Sequence, residues 1–262
     1  MLTVLALLTI IVGVTLSYAW FPASTASKPA LVSSERRGLQ IQSKVILDRL
    51  PMPSFEEIRS IGITELGTNV YADFKPEWWD RLRSWNREVH SQGFKTFAFI
   101  NDAAHLKELV ANSVRSGFDS IELDELVSSK LLDRDTLRST IAYARDLRPD
   151  IEFTITECYR SALTAVNSWT GDLAGIRIAS SDYNSLDTAE WVAEQKTPTK
   201  VRRAAWTILI PDPDYDWVCF KTLELWLRRI KTLNIDILLW AIDAKGTWKQ
   251  NWPTILSMLS QA

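Results

Sequence analysis

Three consecutive segments, SIELDEL (residues 120–126), DRDTLRSTIAYARDLRP (133–149) and IEFTITE (151–157), decide the fold. The first and the last alternate apolar and polar residues in steps of two, which is typical of a β-strand. The middle segment is longer and has the pattern of a helix. A strand, a helix and a second strand in this order predict two parallel strands joined by a right-handed crossover.

The same alternation extends over most of the chain and gives eight strand–helix units. The first predicted strand is KVILDRL (residues 44–50), and the last unit reaches the C-terminus. Eight such units in about 220 residues match a lean (β/α)8 TIM barrel. The segment LDRLPMPS after the first predicted strand contains no glycine-rich phosphate loop, which argues against an open doubly wound sheet. We therefore predict a single α/β domain, a TIM barrel over residues 44–262.

The N-terminal segment differs in composition from the rest of the chain. Residues 1–21 carry no charged side chain and are long enough to span a bilayer as a helix. We expect residues 1–26 to be a signal peptide or a membrane anchor and residues 27–43 to be a linker. Basic residues after the apolar run favour the opposite orientation by the positive-inside rule. We predict export, with an extracytoplasmic barrel that is secreted or tethered through residues 1–21.

The composition excludes several classes of partner. The 262 residues carry a formal net charge of −2, which gives no basic field for nucleic acid. Cys158, Cys219, His90 and His105 are the only cysteines and histidines, and they form no cluster with metal-ligand spacing. We expect no metal, no cofactor and no nucleic-acid partner.

The predicted ends of the strands are rich in acids and aromatic residues and are nearly free of Lys, Arg and His. In barrels of this kind, functional residues gather at the C-terminal ends of the strands. Here those ends carry Asp48, Asn69, Asp124, Glu125, Glu157, Asp182, Tyr183, Trp240 and Asp243. A phosphate-binding barrel would need cations or a glycine-rich helix N-terminus at this position. The rim therefore suits a neutral polyol or a cationic substrate.

Several carboxylates around a tryptophan-edged pocket form the arrangement that glycoside cleavage needs. We predict Asp124 as nucleophile or electrostatic stabiliser, with Asp182 or Glu157 as the acid/base. Sugars stack on aromatic rings, so Trp240, together with Trp206, is predicted to contact the substrate. The other predicted substrate-binding residues are Asp48, Glu125, Tyr183 and Asp243. The expected substrate is a polysaccharide or oligosaccharide, amino-sugar polymers included, because an acidic rim attracts cationic sugars.

The alternation of strand 4 also predicts a buried ion pair. If Ile121 and Leu123 face the helices, Glu122 and Asp124 face the barrel interior. A buried carboxylate without a partner is costly. Arg177 on strand 6 has the matching inward parity, so we predict an ion pair between Glu122 and Arg177 that holds the strand presenting Asp124.

The segment FDSIELDEL (118–126) resembles the strand-4 signature of chitinase-type glycoside hydrolases, Asp-Gly-x-Asp-x-Asp-x-Glu. Asp119 and Asp124 match its first and third aspartates, and Glu122 replaces the second. Leu126 stands where that family has its catalytic glutamate. IASSDYN and ILLWAID are similar to the family's Met-x-Tyr-Asp-Tyr stretch and to the stretch that holds its floor tryptophan. The residues placed by these two likenesses are Asp182, Tyr183 and Trp240.

The same strand also resembles GFDGVxLDN of polygalactosaminidase-type glycosidases. This resemblance implies that Asp124 pairs with an acid after strand 6, here Asp182. An amylase-like pairing of Asp124 with Glu157 is a third arrangement. Because of Leu126, a catalytically inactive barrel that binds glycans as a lectin stays open as an alternative function. A barrel enzyme of different chemistry, such as a lyase, is a further alternative, and the acid-rich, cation-poor rim argues against it.

Overall fold

Eight parallel strands form a closed barrel, each paired with the next and β8 with β1. This fold comes from a computed structural model that describes residues 36–169, 176–182, 185–195, 202–208, 220–233 and 235–261. The strands are β1 Arg37–Ile41, β2 Glu65–Asn69, β3 Lys95–Ile100, β4 Ser120–Asp124, β5 Glu152–Glu157, β6 Ile176–Ser180, β7 Arg202–Ile208 and β8 Asp236–Ile242. The predicted (β/α)8 TIM barrel is confirmed.

Helices follow the strands along the chain and pack around the barrel. Those in the described part are α1 Ser43–Leu47, α2 Phe55–Ser60, α3 Pro76–Ser91, α4 Leu106–Arg115, α5 Arg134–Leu147, α6 Arg160–Trp169, α7 Leu186–Glu194, α8 Phe220–Ile230 and α9 Trp248–Gln261. Helix-facing side chains of the strands and the buried faces of the helices form one large apolar core. No helix in the described ranges is long and apolar enough to cross a bilayer. The predicted signal peptide or anchor at residues 1–26 lies outside those ranges.

The first strand differs from the prediction. Strand β1 is Arg37–Ile41, inside the segment predicted as a linker, and the predicted strand KVILDRL contributes helix α1 instead. Gly38 and Gln40 hid the strand because they interrupt its apolar pattern, yet both face the crowded barrel interior. A Cβ at Gly38 would lie 2.6 Å from Cδ2 of Leu238, so the position has room for glycine alone. The barrel therefore begins before Lys44.

The inward side chains of the tilted strands meet in layers, and each layer takes its members from alternate strands. The strand register gives three layers from the even-numbered strands, and two layers from the odd-numbered strands lie between them. From bottom to top they are the ionic layer (Glu65, Ser120, Arg177, Asp236), a lower odd-strand layer (Gly38, Phe97, Thr154, Ala204), the middle layer (Gly67, Glu122, Ala179, Leu238), the floor layer (Gln40, Phe99, Thr156, Trp206) and the mouth layer (Asn69, Asp124, Ser181, Trp240). Glycine at position 67 makes space for Phe97, whose ring would lie 2.0 Å from a Cβ there.

The predicted ion pair between Glu122 and Arg177 is wrong, although both side chains do face the interior and are buried. Arg177 binds Glu65 at 2.5 Å and Asp236 at 3.3 Å, and its Nε donates to Thr154 at 2.9 Å. The register explains the error, since Arg177 belongs to the ionic layer and Glu122 to the middle layer, with the layer of Thr154 between them. The sequence analysis predicted correctly that both side chains face the interior, but it placed them at the wrong relative position along the barrel axis.

Candidate active site

The mouth layer is the open end of the barrel interior. Asn69, Asp124 and Trp240 are partly exposed, whereas the floor layer beneath them is buried. Trp240 packs on the apolar side chains that fill the interior. The mouth layer thus combines a carboxyl group, an amide and an indole ring over a closed floor.

Asp124 has an environment that favours its neutral form. Burial raises its pKa to about 8, and the negative charges of Glu122, Glu125 and Glu157 add to the increase. Its Oδ1 is buried and has no hydrogen-bond partner among the described residues. A carboxyl group in this state holds its proton at pH 7, so it suits proton donation better than the nucleophilic role predicted from the sequence.

Glu122 lies directly below Asp124 on the same face of β4 and is 0% exposed. Its Oε1 accepts hydrogen bonds from Oγ1 of Thr156 and, at 2.7 Å, from Nε1 of Trp206. Its Oε2 has no partner among the described residues. Burial raises the pKa of Glu122 to about 7, against the lowering effects of the Arg177 charge and of these hydrogen bonds. Two acids with raised pKa values therefore stand one above the other in the barrel.

Glu125 marks a sharp turn at the end of β4. Its φ is +54°, in the left-handed region that costs a non-glycine residue of order 1 kcal/mol. Its N–H donates to the carbonyl of Thr156 at 2.8 Å, and its carboxylate accepts from Oγ of Ser181 at 3.0 Å. The turn lets Glu125 reach the mouth layer despite its outward parity in the strand. Burial and Glu125 together raise the pKa of the Cys158 thiol to about 12, which makes that thiol a poor nucleophile.

Glu157 is buried on the opposite side of the sheet from the barrel interior. Its two carboxylate oxygens accept the backbone N–H groups of Val127 and Ser128, at 2.8 Å and 3.0 Å. Burial raises the pKa of Glu157 in spite of these hydrogen bonds. The side chain fastens the loop that follows Asp124, so its influence on that residue is through charge and loop position.

Asp182 lies exposed on the rim after β6. Its Oδ2 accepts from Oγ1 of Thr188 at 2.6 Å, and its N–H donates to Oγ of Ser180 at 3.2 Å. None of these contacts involves Asp124. Tyr183, the next predicted site residue, lies outside the described residues.

Three further predicted residues are not part of the mouth layer and make structural contacts instead. Trp206 is only 1% exposed, because its ring packs edge-on against Phe97 and Phe99, so its faces are not available to a sugar. Asp243 accepts hydrogen bonds from the N–H and hydroxyl of Thr247, which holds the turn before α9. Asp48 ends helix α1 instead of a strand.

Gln40 is the functional candidate that sequence reasoning missed. Its Nε2 donates to Oδ1 of Asn69 at 2.6 Å, and its Oε1 is buried without a hydrogen-bond partner in the described chain. Gln40 therefore links the floor layer to the mouth layer. The alternation of Leu39 and Ile41 with Gln40 was the available signal, and it was overlooked because the strand was placed after it.

Metal binding finds no support in the described ranges, where no group of three or more His, Cys, Asp and Glu side chains has a geometry that could hold an ion. The chemistry available at the mouth is therefore that of carboxyl groups, amides and aromatic rings.

Comparison with known proteins supports the barrel and leaves its chemistry open. No family model matches the chain, and no curated protein does. Similar solved structures include a mutant GH27 β-L-arabinopyranosidase from Geobacillus stearothermophilus in complex with arabinose (TM-score 0.55, 10% identity, 87% of this chain and 75% of that one). A mutant tryptophan synthase α-subunit from Pyrococcus furiosus has a TM-score of 0.54 at 11% identity, over 87% of this chain and 98% of that one. Dihydropteroate synthase from Anaplasma phagocytophilum has a TM-score of 0.52 at 10% identity, over 86% and 99%. Identities this low show the fold alone.

Proposed function

We propose that the barrel is a glycoside hydrolase that cleaves a polysaccharide, with Asp124 as the proton donor. The observation that carries this proposal is the partly buried carboxyl group of Asp124, whose Oδ1 has no hydrogen-bond partner among the described residues, in the mouth layer that also contains Trp240. A glycosidic oxygen leaves readily only when it is protonated, and an acid with a pKa near 8 holds its proton at neutral pH. Trp240 offers a partly exposed ring against which a sugar can stack.

The proposed reaction needs a second carboxylate. Asp124 transfers its proton to the glycosidic oxygen while the bond between that oxygen and the anomeric carbon breaks. Asp182, on the rim two strands further round the barrel, removes a proton from the water that attacks the anomeric carbon. In the alternative route it attacks that carbon itself, and a water that gives its proton back to Asp124 then hydrolyses the resulting glycosyl ester. The negative charges around Asp124 favour the positive charge that develops on the sugar ring.

The expected substrate is a neutral or amino-sugar polysaccharide. The carboxylates of Glu125 and Asp182 give the mouth an acidic character, which disfavours sugar acids and phosphorylated sugars. The proposed chemistry uses side-chain carboxyl groups and needs neither a metal nor an organic cofactor.

Export of the enzyme belongs to the same proposal. The uncharged segment 1–21 would serve as a cleaved signal or as a tether, and polymeric glycans are met outside the cytoplasm. The barrel should then be released into the medium, or protease added to intact cells should digest it. A barrel that stays with the cells and is digested only after lysis would reject export.

An inactive glycan-binding barrel is the second candidate. Two observations favour it: Leu126 is buried where the chitinase-type resemblance places an acid, and the Asp182 carboxylate is bound to Thr188. Such a protein would keep Trp240 for binding and would lack a working acid pair.

One screen separates the two functions. The purified chain is incubated with a panel of neutral and amino-sugar polysaccharides, and both reducing-end release and binding are measured for the wild type and for Asp124→Asn. Release of reducing ends that Asp124→Asn abolishes supports the hydrolase. Binding without any release supports the lectin, and release that survives in Asp124→Asn within a factor of ten removes Asp124 from the mechanism.

A further inference from the structure

A cavity of about 560 Å³ lies on the same end of the barrel as Asp124, at the connections that follow β1 and β2. Helix α1 begins two residues after the end of β1, and Tyr71 follows the end of β2 by the same distance. We call this cavity the side cavity. Its polar and aromatic lining residues are Lys44, Asp48, Tyr71, Asp73, Phe74 and Trp78. Strands β1 and β2 also carry Gln40 and Asn69, so the side cavity adjoins that part of the mouth.

Three aromatic rings in the side cavity hold one another in fixed orientations. Phe74 packs edge-on against Tyr71, with ring centroids 5.5 Å apart, and against Trp78 at 5.4 Å. The ammonium group of Lys75 lies 5.8 Å from the centroid of the Trp78 ring. Tyr71 is nevertheless 41% exposed, so part of its ring faces solvent. The cluster therefore presents an ordered aromatic surface to solvent.

The polar groups of the side cavity include both donors and acceptors. Lys44 offers an ammonium group, and Asp48 and Asp73 offer carboxylates. Asp73 is close enough to Tyr71 to help burial raise the pKa of that phenol. A purely apolar ligand would leave these groups without a use, and among the lining residues a sugar acid or phosphate would meet two carboxylates and only the ammonium group of Lys44. Hydroxyl groups both donate and accept, so this lining suits an uncharged polyol.

We propose that the side cavity is a second glycan subsite, which binds an uncharged pyranose ring on Tyr71 and Trp78. N-acetylated amino sugars belong to this class. The inference rests on the proposed function, because it takes the ring to be part of the same chain that Asp124 cleaves. The volume of the side cavity lies within the range of small-molecule sites, about 300–1,000 Å³. Binding at a distance from the cleaved bond gives a long glycan an advantage over a short one.

The test measures binding without relying on hydrolysis. Hexasaccharides and disaccharides of β-1,4-linked glucose and of β-1,4-linked N-acetylglucosamine are titrated calorimetrically into the full chain. The variants are Tyr71→Ala, Tyr71→Phe, Trp78→Phe and Asp73→Asn. Leu225→Ala, which removes a 57% exposed apolar side chain on helix α8, is the matched control. Thermal melting of each variant verifies that it is folded.

Tyr71→Ala should weaken hexasaccharide binding about tenfold, while Tyr71→Phe and Leu225→Ala leave it unchanged, because the ring face is what the sugar uses. Trp78→Phe and Asp73→Asn should each weaken binding several-fold. Leu225→Ala should also leave disaccharide affinity and the turnover of a short aryl glycoside at wild-type levels. Wild-type affinity for hexasaccharides in Tyr71→Ala, or no binding of any probe by the wild type, would overturn the subsite.

The failure of the subsite and the failure of the hydrolase give different results. If the protein hydrolyses glycans but Tyr71→Ala does not change its glycan affinity, the subsite is rejected and the hydrolase proposal stands. Length-dependent binding that is lost in Tyr71→Ala, in a chain that never releases reducing ends, supports the side cavity and rejects the hydrolase.

Discussion

The substitution Glu122→Gln should leave the stability of the barrel nearly unchanged at pH 5 and increase it at pH 8.5. Burial holds the pKa of Glu122 at about 7 in the folded chain, above its ordinary value of 4.5. Between these two values the folded chain binds more protons than the unfolded chain, so the free energy of unfolding falls as the pH rises. The difference between a pKa of about 7 and one of 4.5 corresponds to roughly 3 kcal/mol of stability, which is lost once the pH exceeds about 8. Glutamine cannot ionise and avoids this loss.

The contacts of Glu122 make glutamine a close substitute for the neutral acid. The amide oxygen can accept the hydrogen bonds from Thr156 and Trp206, and the amide nitrogen replaces an oxygen that has no partner among the described residues. Glu65→Gln provides the matched control, at a buried carboxylate of the ionic layer. It disrupts the 2.5 Å contact with Arg177, so it should destabilise the barrel at both pH values, by up to about 3–5 kcal/mol.

The assay is urea-induced unfolding followed by tryptophan fluorescence, at pH 5 and pH 8.5, for the wild type and both variants. The expected pattern is a gain of roughly 3 kcal/mol for Glu122→Gln at the higher pH alone. An equal loss of stability at both pH values would mean that Glu122 is ionised and paired after all. The reasoning about its burial would then be refuted.

Three other changes have defined outcomes. The kcat/KM of the wild type should fall above about pH 8 as Asp124 loses its proton. Glu122→Gln should move this fall to lower pH, because the negative charge of Glu122 raises the pKa of Asp124. A pH–rate profile without a decrease at high pH would contradict the acid role. Glu157→Gln places an amide NH₂ against a backbone N–H and should cost roughly 1–3 kcal/mol, with faster amide exchange at Val127 as the readout; unchanged exchange would show that the loop does not depend on this residue. A chain that starts at residue 44 lacks β1 and exposes the edges of β2 and β8, so it should aggregate. A chain that starts at residue 35 should fold. A soluble, cooperatively melting 44–262 chain would show that β1 is dispensable.

The sequence predicts the barrel well because the alternation of strands and helices repeats regularly along most of the chain. Strand β4 shows why, since Ile121 and Leu123 must face the helices for the apolar core to close, and this places Glu122 and Asp124 inside. Strand β1 was misplaced for a physical reason. The barrel interior accepts glycine and polar residues, so the strand RGLQI lacks the apolar run that marks the others.

The site was only partly predictable. Parity identifies which side chains face inward, but height in the barrel depends on the register between strands, which one sequence does not display. Arg177 was therefore assigned to the wrong layer, and Trp206 was taken for a surface ring although it is buried in the floor layer. The protonation state of Asp124 was equally hidden, because it depends on burial and on three neighbouring acids.

Leaving-group dependence tests most directly the claim that Asp124 is the proton donor of a glycoside hydrolase. The rates of wild type and Asp124→Asn are compared on an unactivated glycan and on its dinitrophenyl glycoside, whose leaving group departs without a proton. Loss of the general acid should slow the unactivated substrate by at least about 10²-fold and leave the activated one far less affected. Equal loss on both substrates would contradict the donor role, and no turnover of either by the wild type would contradict the hydrolase.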